Sequence, residues 1–132
     1  MSFLLDTDTC SAYFKGNHQV GNRVVQYGGR LHVSTVVVGE LYTWALRAKA
    51  PPGRLIKLVG FLKDVTVLDV DQAVAYKFGA IRAALFDAGL PNPDMDLLNA
   101  ATALVHGLTI VTHNTQDYTN VPRLNLADWL NP

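Results

Sequence analysis

Phe3-Leu4-Leu5-Asp6-Thr7-Asp8-Thr9 decides how this chain is read. Three apolar residues in a row, closed by an acid, describe a short strand buried on both faces, as strands of parallel sheets are. That strand is expected over Phe3 to Asp6, with a short helix from about Thr9 to Phe14 behind it. The same alternation runs on down the chain. Asn17 is placed to cap a helix carrying Val20, Val24, Val25 and Tyr27, which Gly28-Gly29 ends. Leu31 to Val33 reads as a strand, and Ser34 as the cap of a helix through Glu40, Leu41, Trp44, Ala45 and Leu46 that stops before Pro51-Pro52. Arg54 to Leu62 is amphipathic, with Leu55, Ile56, Leu58, Val59 and Leu62 as its apolar stripe. A strand over Val65 to Val70 leads to Asp71, the cap of a long helix with Val74, Phe78, Ile81 and Leu85 at helical spacing, closed by Gly89. The loop Pro91-Asn92-Pro93 precedes a helix over Asp94 to His106, then a strand over Leu108 to Thr112 and a weaker one over Arg123 to Leu126. Strand and helix in turn specify an α/β sandwich on a mostly parallel sheet.

Residues 1–132 fit one domain, with 49% apolar residues to fill its core and only 17% charged. Eleven basic and 11 acidic residues cancel, which argues against a broad basic face for nucleic acid but not against a local one. The single cysteine, Cys10, excludes an internal disulfide and a cysteine zinc site, and fits a reducing cytoplasm. No apolar run is long enough for a membrane span, and no basic segment precedes the first apolar residues as an export signal requires.

The acids are unevenly placed. Ten of the 11 are Asp and Glu40 is the only Glu, so surface helices are sparsely acidic and the carboxylates gather near element ends. Asp6 and Asp8 close the first strand, Glu40 follows Val36-Val37-Val38, Asp94 and Asp96 open a helix, and Asp117 follows Leu108-Thr109-Ile110-Val111. The carboxyl ends of parallel strands share one edge of a sheet, so these groups can converge there. Converged carboxylates repel one another unless a positive charge lies between them, and a hard divalent cation is the simplest one. Asp6, still attached to its apolar run, fits a metal ligand, whereas Asp8 fits better as the helix cap. Glu40 lies in a helix apolar on most faces and needs a charged partner. Of Asp94 and Asp96, two residues apart and so on different sides of a helix, one reads as ligand and the other as cap or outer partner. Thr112 and Asn114 are placed to hydrogen-bond the carboxylates and fix their orientation. His113 reads as a surface residue before a general base; His18, His32 and His106 read as structural. Tyr13, Phe14, Tyr42 and Trp44 suit core or interface packing better than a nucleobase platform.

Four blocks together resemble the PIN-domain ribonucleases, and more closely the VapC toxins of type II (VapBC) toxin–antitoxin pairs. Leu4-Leu5-Asp6-Thr7-Asp8-Thr9-Cys10 is similar to that family's opening; Glu40-Leu41 to its second acid; Asp96-Leu97-Leu98-Asn99-Ala100-Ala101-Thr102-Ala103-Leu104 to its Asp-x-x-Ile-Ala-Ala-x-Ala-Leu; and Thr112-His113-Asn114-Thr115-Gln116-Asp117-Tyr118 to its Thr-x-Asn-x-x-Asp-Phe. Asp128-Trp129 fits its closing tryptophan. The resemblance implies a PIN-like three-layer α/β/α sandwich over residues 1–132, with Asp6, Glu40, Asp96 and Asp117 as a catalytic quartet. Asp6, Asp96 and Asp117 would hold Mg²⁺ or Mn²⁺, with Thr112, Asn114, Asp94 and Asp8 around them. It implies an endoribonuclease acting on structured RNA, transfer RNA foremost, a homodimer, and a VapB-type antitoxin that wraps the toxin in a hetero-oligomer. Apolar surface near Tyr13, Phe14, Tyr42 and Trp44 beside the acids would suit an antitoxin helix ending in a basic side chain. Two departures stand out: Asp94 lies where the family has no acid, and Asn99 replaces an inward apolar residue and needs a partner or loosens the packing.

Rival readings separate on particular residues. A haloacid-dehalogenase-like phosphatase shares the first block but needs a lysine and a further acidic motif after Thr112, where only 20 residues remain and carry neither. A receiver-like module needs a late lysine, and none follows Lys77. An inactive PIN-like interaction module with a structural cation would normally have lost part of the quartet. A PIN nuclease of RNA processing, without a toxin role, is the other alternative.

Overall fold

Alternation along β1 (Phe3–Leu5) sets the layers of the molecule: Phe3 and Leu5 point into one core and Leu4 into the other. The computed structural model describes residues 1–132. Five strands, β1, β2 (Leu31–Ser34), β3 (Thr66–Leu68), β4 (Thr109–Val111) and β5 (Leu126–Ala127), form one sheet in the order β3-β2-β1-β4-β5. Every neighbouring pair is parallel, so the expected mostly parallel sheet is wholly so. Helices α1 (Thr7–Phe14), α2 (His18–Gln26), α3 (Thr35–Leu46) and α4 (Arg54–Asp64) cover one face; α5 (Gln72–Asp87) and α6 (Asp94–His106) cover the other. Each face holds a core of 12 buried residues, so neither side of the sheet is left to solvent and the three-layer sandwich is complete.

Helix starts follow their caps. Asn17 accepts from the Val20 N–H, Ser34 from Val37 and Asp71 from Val74, each at the position read from the sequence. Gly107 ends α6 in the left-handed region, φ 66°, where a side chain would be strained. Three boundaries differ from expectation. Helix α1 begins at Thr7 rather than Thr9 because Asp6, not Asp8, is its cap, taking the Thr7 N–H on Oδ1 at 2.9 Å. Strand β3 is shorter than Val65 to Val70; it is an edge strand, exposed at Thr66 and Val67, and its chain bends away at Asp69. The last strand is Leu126–Ala127 rather than Arg123 to Leu126, because Arg123 sits at φ 65°, a turn conformation no strand contains.

Strand order fixes where a ligand can enter. β2 and β3 succeed β1 on one side, whereas β4 and β5 lie on the other, so the order reverses between β1 and β4. In open α/β sheets the crevice beyond the strand carboxyl ends at such a reversal is where ligands bind. No helix is long and apolar enough to cross a membrane.

Candidate active site

Backbone pairing brings the acidic segments that follow β1 and β4 to that crevice. The Asp6 N–H donates to the Val111 carbonyl at 3.0 Å, which registers the end of β1 against the end of β4. Glu40 comes in from α3, Asp96 from the first turn of α6, and Asp117 from a 3-10 turn over Thr115–Tyr118 that follows β4. Together with Thr7, Asp8 and Asn114 these four carboxylates line a cavity of about 260 Å³ with no apolar side chain in its wall. The four acids of the expected quartet are thus in one place.

Their hydrogen bonding divides the acids by role. Asp6 accepts the Thr7 N–H on Oδ1 at 2.9 Å and the Tyr118 hydroxyl on Oδ2 at 2.8 Å, leaving one lone pair on each oxygen free. Glu40 is steered by the Thr7 hydroxyl, which donates to Oε1 at 2.6 Å. Asp8 is used up: the His113 N–H donates to Oδ2 at 2.9 Å, and the hydroxyls of Thr9 and Thr112 reach the carboxylate at 3.4 to 3.5 Å. Asp8 therefore braces the turn after β4 rather than capping α1. Thr112 gives its one hydroxyl hydrogen to Asp8, and its nearness also favours the charge on Asp6. Asn114 acts through Thr112, donating its backbone N–H to the hydroxyl at 3.1 Å, while its exposed side chain only lines the cavity.

Asp94 does not join them. Two residues before Asp96 on the same helix, it points out to solvent and pairs with Arg82, Oδ1 to Nε 2.9 Å. A step of two residues turns a helix by about 200°, so the outer role expected of Asp94 fails on geometry. His113 stands outside the cavity, exposed, with Nδ1 3.0 Å from Asp128 Oδ2. Asn99 finds two partners, Ser34 and Tyr118, and so keeps its place in the core. The parts of Thr7 and Tyr118, which orient Glu40 and Asp6, are missed from the sequence; Thr7 is marked only as the hydroxyl next to the first acid, and Tyr118 only as the aromatic residue after Asp117.

The electrostatics follow from this arrangement. Burial, then the charges of Asp6, Asp117, Glu40 and Asp8, push the Asp96 carboxyl up to about 6. Burial also raises Asp6, against the Thr7 N–H and the Tyr118 hydroxyl, which hold it down. Neither of the protein's ion pairs involves the quartet. The donor set is all oxygen and anionic, the kind a hard divalent cation takes. No three of the side chains are drawn close enough to cage an ion by themselves. An ion such as Mg²⁺, which keeps several waters and needs only one or two direct carboxylates, fits such an open edge.

Aromatic side chains line a groove elsewhere on the helical face. Phe14 stacks on Trp44 at 5.1 Å between ring centres and meets Phe61 edge-on at 5.2 Å; Tyr13 lies 5.6 Å from Phe61. Tyr13, Phe14 and Phe61 pack against one core, and with Ile56 they line an open groove of about 470 Å³ between α1 and α4.

Comparison with known proteins adds to the geometry. The PIN domain model matches residues 3–124. The chain is 35% identical over 130 residues to the tRNA(fMet)-specific endonuclease VapC of Shigella flexneri, covering 98% of each. It is 29% identical over 131 residues to ribonuclease VapC2 of Haemophilus influenzae, covering 98% of this chain and 99% of that protein. A chain of the DNA-bound VapBC crystal structure from Salmonella typhimurium superposes with a TM-score of 0.91 at 32% identity, covering 98% of both.

Proposed function

Because the chain belongs to the PIN-domain family, in its VapC ribonuclease branch, we propose that it is a Mg²⁺- or Mn²⁺-dependent endoribonuclease toxin that hydrolyses phosphodiester bonds of RNA. The observation that carries the reading is the convergence of Asp6, Glu40, Asp96 and Asp117 in one apolar-free cavity at the strand reversal. Asp6, Asp96 and Asp117 would hold the cation, in part through its own waters, and Glu40, aimed by Thr7, would serve as the base for the attacking water. Bound there, the ion supplies Lewis-acid charge for the phosphate and makes water a competent nucleophile near neutral pH. The protein's own part is orientation: Thr7 fixes the Glu40 carboxylate before RNA arrives, so less reorganisation is left to the reaction.

Transfer RNA is the preferred substrate class, since a relative that matches along its whole length is named for tRNA(fMet). The partner is a VapB-type antitoxin, as in the VapBC complexes of Salmonella typhimurium and Rickettsia felis. Its apolar anchors lie in the groove of Tyr13, Phe14, Ile56 and Phe61, and a basic side chain beyond them reaches the carboxylates. The active unit is a homodimer, and the compartment is the cytoplasm. One experiment tests the core of this reading. Purified protein is incubated with bulk transfer RNA and with ribosomal RNA, with Mg²⁺, with Mn²⁺ and with a chelator, beside Asp96→Asn. Metal-dependent cuts in transfer RNA, absent with the chelator and in the variant, are expected. RNA left intact under every condition overturns it.

A further inference from the structure

Behind Asp6, away from the cavity, lies a file of buried polar groups that packing alone does not call for. Ser34 at the end of β2, Asn99 on α6 and Tyr118 on the 3-10 turn come from three separate elements, and none is more than 1% exposed. Ser34 Oγ donates to Asn99 Oδ1 at 2.8 Å, Asn99 Nδ2 reaches the Tyr118 hydroxyl at 3.5 Å, and that hydroxyl donates to Asp6 Oδ2 at 2.8 Å. The direction of the file is forced from the Asp6 end. The carboxylate can only accept, so the single Tyr118 hydrogen goes to Asp6 and the Tyr118 oxygen accepts from Asn99 Nδ2. That leaves Asn99 Oδ1 facing Ser34, whose hydroxyl donates to it while its oxygen accepts the Val37 N–H at 3.3 Å. No buried side-chain nitrogen or oxygen in the protein lacks a partner. An amide and two hydroxyls in a core otherwise built of Leu97, Ala100, Ala101 and Ala103 would each be costly without this arrangement. One member also departs from the pattern the chain resembles: Asn99 stands at an apolar position.

We propose that Tyr118, held by Asn99 and Ser34, is a positioning residue that locks the Asp6 carboxylate so that its free lone pairs face the cation. The inference rests on the proposed role of the acidic cavity as the metal site. With Oδ1 held by the α1 backbone and Oδ2 by Tyr118, turning the carboxylate plane would break a hydrogen bond. The order is thus present before any ion enters, and part of the entropy of binding is met in folding.

Tyr118→Phe keeps the ring and removes only the hydroxyl. Calorimetric titration with Mn²⁺ alone should show affinity about tenfold weaker than wild type, the lower end of what loss of an outer hydrogen-bond partner causes. The Mn²⁺ concentration for half-maximal RNA cleavage should move by the same factor, with kcat at saturating Mn²⁺ within a few-fold of wild type. Asn99→Leu should weaken Mn²⁺ by less, and Tyr118→Phe combined with Asn99→Leu should be no weaker than Tyr118→Phe alone, because Asn99 acts through Tyr118. A merely structural role would lower the melting temperature and leave Mn²⁺ affinity untouched. That result, or strictly additive losses in the double variant, overturns the inference while wild-type cleavage and metal binding stand. A wild type that neither binds Mn²⁺ nor cleaves RNA overturns the metal-site reading itself, and this inference with it.

Discussion

Asp94 and Asp96 sit two residues apart on one helix turn and live in opposite electrostatic worlds. Asp94 looks outward, more than half exposed, and shares its charge with Arg82. Asp96 looks inward at three other carboxylates, with its pKa driven up to about 6. The contrast extends to whole regions. Away from the sheet edge Asp71 caps α5 and Asp128 takes the Leu130 and Asn131 N–H groups as well as His113, so acids there are given local partners. At the sheet edge the fold supplies neutral donors, from Thr7, Thr112 and Tyr118, and no cation. Neutral donors fix direction without cancelling charge. A protein that arranges acids this way keeps a negative potential available for something that binds from outside.

The sharpest way to break the comparison is to neutralise each of the two acids in turn. Asp96→Asn should lower the rate of RNA cleavage by more than about 100-fold, beyond the range for loss of an outer partner, and should relieve growth arrest on expression. Cleavage left near the wild-type rate would mean the inward acid is no more functional than the outward one. Next in size is the response to metal. A cation that binds only the folded edge stabilises it by mass action, about 2.7 kcal/mol at 100 times its dissociation constant. For a domain of this size that raises Tm by on the order of 10 °C. Thermal denaturation with and without Mn²⁺ measures it, and Asp96→Asn should shrink the rise; a wild-type Tm indifferent to metal would dissolve the distinction between the two regions.

The pH dependence of the metal-free protein sharpens the same contrast. The folded-state pKa of Asp96 lies above its unfolded value, so the folded state binds the extra proton. Its contribution is fully present below the ordinary carboxylate range and is lost as pH rises to about 6. Denaturant midpoints in chelator should therefore fall across that window in the wild type and fall less in Asp96→Asn. A steeper fall in the variant would reverse the assignment of the strained acid. The smallest effect belongs to the outer region: Asp94→Asn should leave cleavage within roughly tenfold and change stability by no more than about 1 kcal/mol, as exposed ion pairs do. Equal damage from Asp94→Asn and Asp96→Asn would show that α6 presents a different face from the one described.

The order of elements is legible in the sequence because it depends on local patterns: apolar triplets for β1 and β4, and Asn17, Ser34 and Asp71 before helical stripes. That order is also what brings Asp6, Glu40, Asp96 and Asp117 to one edge of the sheet. What the sequence hides depends on distant partners. Whether Asp6 or Asp8 caps α1 is settled by the His113 N–H, 105 residues from Asp8, which claims Asp8 for itself. Asp94 reads as part of the site because sequence spacing does not reveal that Arg82, on the neighbouring helix, is within 2.9 Å. Asn99 stands out as an oddity, but its remedy lies on β2 and on the turn after β4. Nor does anything near Arg123 announce its left-handed backbone, which removes it from the last strand.

The pairing of β1 with β4 also sets a clock. Leu5 lies opposite Val111, and Asp8 is tied to His113 across 105 residues of chain, so the edge that carries the carboxylates closes between segments made far apart in time. Ribosomes add about 5–20 residues per second, which puts Asp117 on the order of 5–20 s behind Asp6. Through that interval a nascent chain can build β1, β2 and the helices between them, with one wall of the cavity standing and the other not yet translated. Such long-range closure is also slow once the chain is complete. The groove between α1 and α4, by contrast, is complete in sequence once Asp64 has been added, well before the edge that carries Asp96 and Asp117 exists.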